Sequence, residues 1–199
     1  MRTNRPQYNQ LKDFENIVAW NVLSGNKGAI DLLREKIQME KNMPSSEYEL
    51  LEDTEKINWS SLSENPEAIK LLKENKYKII WLNLSSNHSP KAIKLLKDQV
   101  EYENGLSKAQ YAKLSNKISW RFLSSNPIAI DILAANKDKI KWEALSNNPK
   151  AIDILNANQD NIDWVVLSGN PDAIDILEAN QDKINWEILS LNPSIFILK

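Results

Sequence analysis

The chain has 199 residues, 25 basic against 27 acidic side chains, no cysteine, one histidine and four glycines. This composition excludes a disulfide framework, a thiolate or multi-histidine metal site and a cysteine nucleophile, and none of the glycines forms a phosphate-cradling GxGxxG or GxxxxGK[ST] motif. Near-neutral charge argues against nucleic acid as the main partner. No run approaches the roughly 18 apolar residues of a membrane helix, and the polar start MRTNRPQYNQ is not that of a signal peptide. The expectation is a soluble, cytoplasmic protein of a reducing compartment, without membrane, metal or cofactor.

In chain order, Leu11–Trp20 (LKDFENIVAW) reads as the closing half of a repeat, so 1–19 is an N-terminal half-repeat or cap. Tryptophans then recur at 20, 59, 81, 120, 142, 164 and 186, separated by 39, 22, 39, 22, 22 and 22 residues. A fixed period of this size marks stacked structural repeats. Aligned on tryptophan, the repeat is I-x-W-x-x-L-S-x-N-P-x-A-I-x-I-L-x-x-N-x-D, clearest in WEALSNNPKAIDILNANQD (142–160). The two long intervals match each other: Ile37 pairs with Val100, Met43 with Leu106, Tyr48 with Tyr111 and Leu51 with Leu114. A long-plus-short block was therefore duplicated over 20–119, and short repeats were copied on over 120–199, the last one truncated. One continuous repeat domain over 1–199 is expected.

Each repeat reads as two short helices. Asparagine of the N-P step caps the first, proline takes N1 (Pro66, Pro127, Pro149, Pro171, Pro193), and A-I-x-I-L supplies apolar groups at helical spacing. The later asparagine (Asn75, Asn136, Asn158, Asn180) suits a left-handed helix end, and Asp138, Asp160 and Asp182 are placed to start the second helix, whose I-x-W-x-x-L faces the core. In the long repeats the first helix runs on through Ile30, Leu33 and Ile37, or Ile93, Leu96 and Val100. Ser46 with Glu49, and Ser107 with Gln110, have capping-box spacing for an additional helix. The fold class is all-α, a right-handed α-solenoid of about seven 22-residue hairpins, two of them lengthened to 39.

Residues that recur in every repeat build the repeat. The Trp, Leu and Ile columns read as core, and the Ser and Asn columns as caps and inter-repeat hydrogen bonds, the alternative being an exposed asparagine ladder for a peptide backbone. His88, in a bulged N-H-S-P turn without an acid beside it, reads as a solvated loop residue, and no catalytic triad can be built on it. Candidate partner-binding residues lie in two columns. The position two after tryptophan is variable and often apolar: Val22, Phe122, Val166 and Ile188. Asp131, Asp153 and Asp175 form an acidic stripe, readable also as a solvated helix face.

The pattern W-x-x-L-S-x-N-P-x-A-I-x-I-L, over residues 11–199, resembles the short Trp/Asn-Pro repeats of many uncharacterised proteins of giant DNA viruses of amoebae and algae. The richness in Asn, Lys and Ile is similar to the bias of AT-rich viral genomes. The resemblance implies a setting in the host cytosol, a viral factory or a virion, and no activity. The short period and N-P step also resemble leucine-rich variant repeats, which alternate α- and 3₁₀-helices in a right-handed superhelix; their likeness leaves the I-x-W-x-x-L segment either α or 3₁₀. The expected function is a non-catalytic scaffold or adaptor for a protein partner. A self-assembling component of a virion or factory is the alternative, using the apolar end Ile195-Phe196-Ile197-Leu198. A helical-repeat nucleic-acid binder is the third reading.

Overall fold

A computed structural model describes residues 18–196. Most of the half-repeat expected before Trp20, and the end of the apolar tail from Ile197, lie outside the described residues. Among these there are fifteen α-helices joined by 3₁₀ turns, and no strand. They divide into two compact bodies, one up to Ile79 and one from Ile80. The first contains α1 (Trp20–Leu23), α2 (Ile30–Asn42), α3 (Ser45–Leu50), α4 (Trp59–Glu64) and α5 (Ile69–Glu74). The second contains α6 (Trp81–Leu84), α7 (Ile93–Asn104), α8 (Lys108–Lys113), α9 (Trp120–Ser125), α10 (Ile130–Ala135), α11 (Trp142–Ser146), α12 (Ile152–Asn156), α13 (Trp164–Ser168), α14 (Ile174–Glu178) and α15 (Trp186–Leu189). In the second body α9 packs on α11, α11 on α13 and α13 on α15. No helix among the described residues is long and apolar enough to cross a membrane.

Every tryptophan of the repeat is the first residue of an α-helix, which assigns W-x-x-L to α rather than 3₁₀. The isoleucine two residues earlier is not helical: Ile79, Ile140, Ile162 and Ile184 are extended and close 3₁₀ turns such as Lys137–Lys139 and Gln159–Asn161. Asp138, Asp160 and Asp182 lie inside those turns and do not start the second helix. Its amide cap is supplied instead by the residue before tryptophan, as Asn58, Ser119, Asp163 and Asn185 each accept an N–H three residues on.

The Leu column is core: Leu62, Leu84, Leu123, Leu145 and Leu167 are fully buried, as are the alanines Ala68, Ala92, Ala129, Ala151 and Ala173; the isoleucine before tryptophan is buried from Ile57 to Ile162, whereas Ile93, Ile130, Ile152 and Ile174, after the alanine, are half-buried. The Trp column is not. Its rings are half-buried at the core's edge, and Trp186 is 62 % exposed. An indole at the first helical position keeps its polar edge near water, and its face takes a lysine ammonium: Lys36 lies over Trp20, Lys139 over Trp120 and Lys183 over Trp164, 4.6–5.3 Å from the ring centre.

Two further departures are local. No described residue has positive φ. Asn75, Asn136, Asn158 and Asn180 end their helices at φ between −132° and −141°. Each side-chain amide donates to the carbonyl four residues back at 2.7–2.9 Å, so the orphan acceptor is satisfied without a left-handed residue. The capping box at Ser107–Gln110 forms, whereas the one expected at Ser46–Glu49 does not, because α3 begins two residues earlier than that cap requires, behind Pro44.

Within each body, successive repeats are joined by the Ser and Asn columns. Ser24, Ser63, Ser85, Ser124, Ser146, Ser168 and Ser190 each donate Oγ–H to the tryptophan carbonyl four residues back, at 2.7–2.9 Å. The same oxygens of Ser24, Ser85, Ser124, Ser146 and Ser168 accept the N–H of Asn58, Ser119, Lys141, Asp163 and Asn185 in the following repeat, all at 3.0 Å. The asparagine of the N-P step bonds in both directions. Its Oδ1 accepts the N–H two residues ahead at 3.0–3.2 Å. Its Nδ2 donates back to the preceding repeat, as Asn65 does to the Ser24 and Asn26 carbonyls and Asn170 to those of Ser146 and Asn148. Asn65, Asn126, Asn148, Asn170 and Asn192 are at most 2 % exposed, so they form no ladder open to a peptide.

Asn148→Ala would strand the buried Ser124 carbonyl and take the acceptor from the part-buried Lys150 N–H, a loss of about 1–3 kcal/mol, while the exposed neighbour Asn147→Ala should change stability by less than about 0.5 kcal/mol; urea unfolding of the two variants measures the contrast. Asn158→Gly should destabilise by about 1–2 kcal/mol through the lost bond to the Ile154 carbonyl and added backbone freedom. A left-handed residue there would instead make glycine neutral or stabilising.

Candidate functional site

Val22 is 73 % and Phe122 40 % exposed, whereas Val166 and Ile188 are half-buried. On α13 the outward valine is Val165, one position earlier than expected. Ile188 leans toward the preceding repeat: a Cβ at Gly169 would meet its Cγ2 at 3.2 Å, which gives that glycine a packing reason. Asp131, Asp153 and Asp175 are exposed, each the second residue of α10, α12 or α14, where a carboxylate is favoured by the helix dipole. Asp131 pairs with Lys97 at 3.4 Å. The two columns occupy different helices of the repeat, and the acidic one has a local electrostatic cause. A further exposed pair, Arg121 and Glu143, is bidentate at 2.9 and 3.0 Å; it holds the Glu143 carboxyl below its ordinary range and raises Arg121.

Among the described residues one cleft of about 390 Å³ has Asp131 on its wall and another of about 410 Å³ lies between Ile174 and Ile195; two more lie on the two long repeats and match each other. In the first body a cleft of about 420 Å³ opens between α2, α3 and the next repeat, with Glu40, Tyr48, Trp59, Asn75 and Lys78 among its walls. In the second body a cleft of about 520 Å³ has Glu103, Tyr111, Trp120, Asn136 and Lys139 at the corresponding positions. Five polar or aromatic residue types thus recur one for one. The tyrosines and the apolar pairs were visible in the duplication, but Glu40 and Glu103 were missed. The available signal was that they sit three residues beyond Ile37 and Val100 in matched segments, at helical spacing from the buried Leu33 and Leu96.

Both glutamates have a structural reason. In short repeats the isoleucine N–H before tryptophan bonds to the carbonyl three residues back, as Ile140 does to Lys137 and Ile162 to Gln159. In the long repeats the isoleucine N–H makes no such turn bond, although a 3₁₀ turn at Asp53–Glu55 precedes Ile57, and a carboxylate from the extended helix takes the carbonyl's place: Glu40 accepts the Ile57 N–H, and Glu103 the Ile118 N–H, each at 2.8 Å. Burial raises the Glu40 carboxyl above its ordinary value of 4.5, against the pull of the Ile57 N–H and of Lys36, Lys78 and Lys56. Burial and the neighbouring carboxylate likewise raise the Tyr48 and Tyr111 phenols. Lysines lie over those rings as well, Lys56 over Tyr48 at 5.3 Å and Lys117 over Tyr111 at 4.5 Å.

A carboxyl raised on folding binds its proton more tightly in the native state, so its contribution to stability is complete below 4.5 and is lost as pH rises through the folded value. Glu40→Gln keeps an acceptor for Ile57 and removes the titration. The wild type should therefore gain stability relative to Glu40→Gln as pH falls from neutrality toward 4.5, by about 1.4 kcal/mol for each unit of elevation. Denaturant midpoints across that range test the sign.

Compared with models of protein families, with curated proteins and with solved structures, the chain matches none.

Proposed function

We propose that the chain is a non-catalytic protein-binding scaffold, a right-handed α-solenoid of seven helical hairpins, two of them lengthened, which presents to a protein partner the positions where its repeats differ. One observation carries this reading. Apart from the edge tryptophans, the groups common to the repeats are used in the interior, Ser and Asn in inter-repeat bonds and Leu and Ala in the core, while variable positions such as Val22, Phe122 and Val165 face outward. Variation on an exposed face over an invariant frame is how repeat proteins acquire partners. The likeness of the repeat to those of giant-virus proteins supports a cytoplasmic setting, in a host cell or a viral factory.

Self-assembly is the second reading, favoured by the exposed apolar residues Trp186, Leu191 and Ile195 on the last described repeat. A tagged full-length chain used as bait at low and high salt separates the two. The scaffold reading expects a stoichiometric foreign protein that survives salt and is reduced about tenfold by Phe122→Ala, an aromatic anchor's usual share. Recovery of copies of the chain alone would replace this reading with self-assembly.

A further inference from the structure

We propose that the cleft around Glu103 binds the cationic side chain of a lysine or arginine carried by a partner polypeptide. The polypeptide rests on the scaffold reading; the cation does not.

The inference comes from one difference between the two clefts. In the first, the Glu40 carboxylate shares its burial with an internal cation: Lys36 Nζ stands 4.0 Å from Oε1, and both side chains are under a tenth exposed. In the second, the position of Lys36 is taken by Gln99. Gln99 Nε2 donates to Glu103 Oε1 at 3.0 Å, and the Ile118 N–H donates to the same oxygen. Both donors converge on Oε1, and Oε2 is buried with no hydrogen-bond partner. Glu103 as a whole is 3 % exposed. A buried carboxylate is costly unless paired with charge and hydrogen-bonded on both oxygens. A neutral glutamine supplies one donor and no charge, so Glu103 lacks the buried ammonium that Lys36 gives Glu40.

The walls suit the missing group. Tyr111 and Trp120 line the cleft beside Glu103, and aromatic faces attract cations. They do so within this chain, with Lys117 over Tyr111 and Lys139 over Trp120. Those two lysines do not replace Lys36, because the first cleft retains their counterparts Lys56 and Lys78 alongside it. Lys139, which also bonds the exposed Asn104, lines the cleft with Lys108 and Lys141. A swing of the Lys139 side chain admits a cation to Oε2, and an entering guanidinium would make a charge-assisted bond there.

The test is an NMR titration of the ¹⁵N-labelled full chain with N-acetyl-arginine amide and N-acetyl-lysine amide, with the neutral isostere N-acetyl-citrulline amide as control. The expected result is saturable shifts of the Ile118 amide and the Trp120 indole with the cationic probes, none with citrulline, and none at Ile57 or Trp59 in the first cleft. Gln99→Lys, which installs the arrangement of the first cleft, should weaken binding at least about tenfold while leaving distant resonances in place. Glu103→Gln should do the same and serves as the second variant. Equal shifts with citrulline, no saturable shift at Ile118, or unchanged binding in Gln99→Lys would each overturn the assignment. None of these readouts needs a partner protein. Their failure removes the cation site and leaves the scaffold reading standing, whereas cation binding without any captured protein removes the scaffold reading and leaves the site.

Discussion

A single serine hydroxyl, giving its proton to the tryptophan carbonyl behind it and taking an amide N–H from the repeat ahead, is the contact on which the rest of the structure depends. It ties the C-terminal turn of one short helix to the start of the equivalent helix in the following repeat, and it needs a helix start at that one position. With the adjacent asparagine amide it satisfies backbone groups that helices of four to six residues cannot satisfy themselves. Helices this short have no independent stability. The polar joints are fully buried and, among the described residues, nearly all paired, so they act as register marks as much as stabilising bonds.

In the long repeats that local scheme is interrupted, and the interior has to be satisfied another way. Without the turn bond of the short repeats, the N–H of Ile57 and of Ile118 needs another acceptor, and the extended helix answers with a carboxylate. Bringing a negative charge into the interior then creates a new demand, met by Lys36 in one copy and left open at Glu103 in the other. The two clefts therefore arise from one backbone solution, and their electrostatic difference arises from one substitution on the buried side of α2 and α7.

Much of the frame was legible in the sequence because it repeats. The period, the helical class, the long first helix of each extended repeat, the Leu, Ile and Ala core and the Ser/Asn joints come from residue types whose roles are local or strictly periodic. The reading failed where a side chain had two chemically reasonable roles. Asn158 can sit in a left-handed turn or back-bond its own helix, and only the packed neighbours select the second. Tryptophan is apolar enough to count as core, yet at a helix start it stays at the edge under a lysine. The clefts were hidden for another reason. Glu40 and Glu103 look like ordinary solvent-facing helix charges, and their burial depends on where the tertiary return of α3 and α8 passes. Phe122 stands out in the sequence because it interrupts a column of smaller residues, which needs no tertiary information, and it is exposed.

The inter-repeat joint has a consequence at the level of the gene. Asn148, Asn170 and Asn192 bond to the preceding repeat in the same way, 22 residues apart, using groups that every repeat carries. A block of 66 nucleotides gained or lost by slippage between similar copies would rejoin donors to acceptors of the same kind, with no new contact to be invented at the seam. Length in such a chain can drift freely, and selection then acts on the few side chains that distinguish one copy from its neighbours.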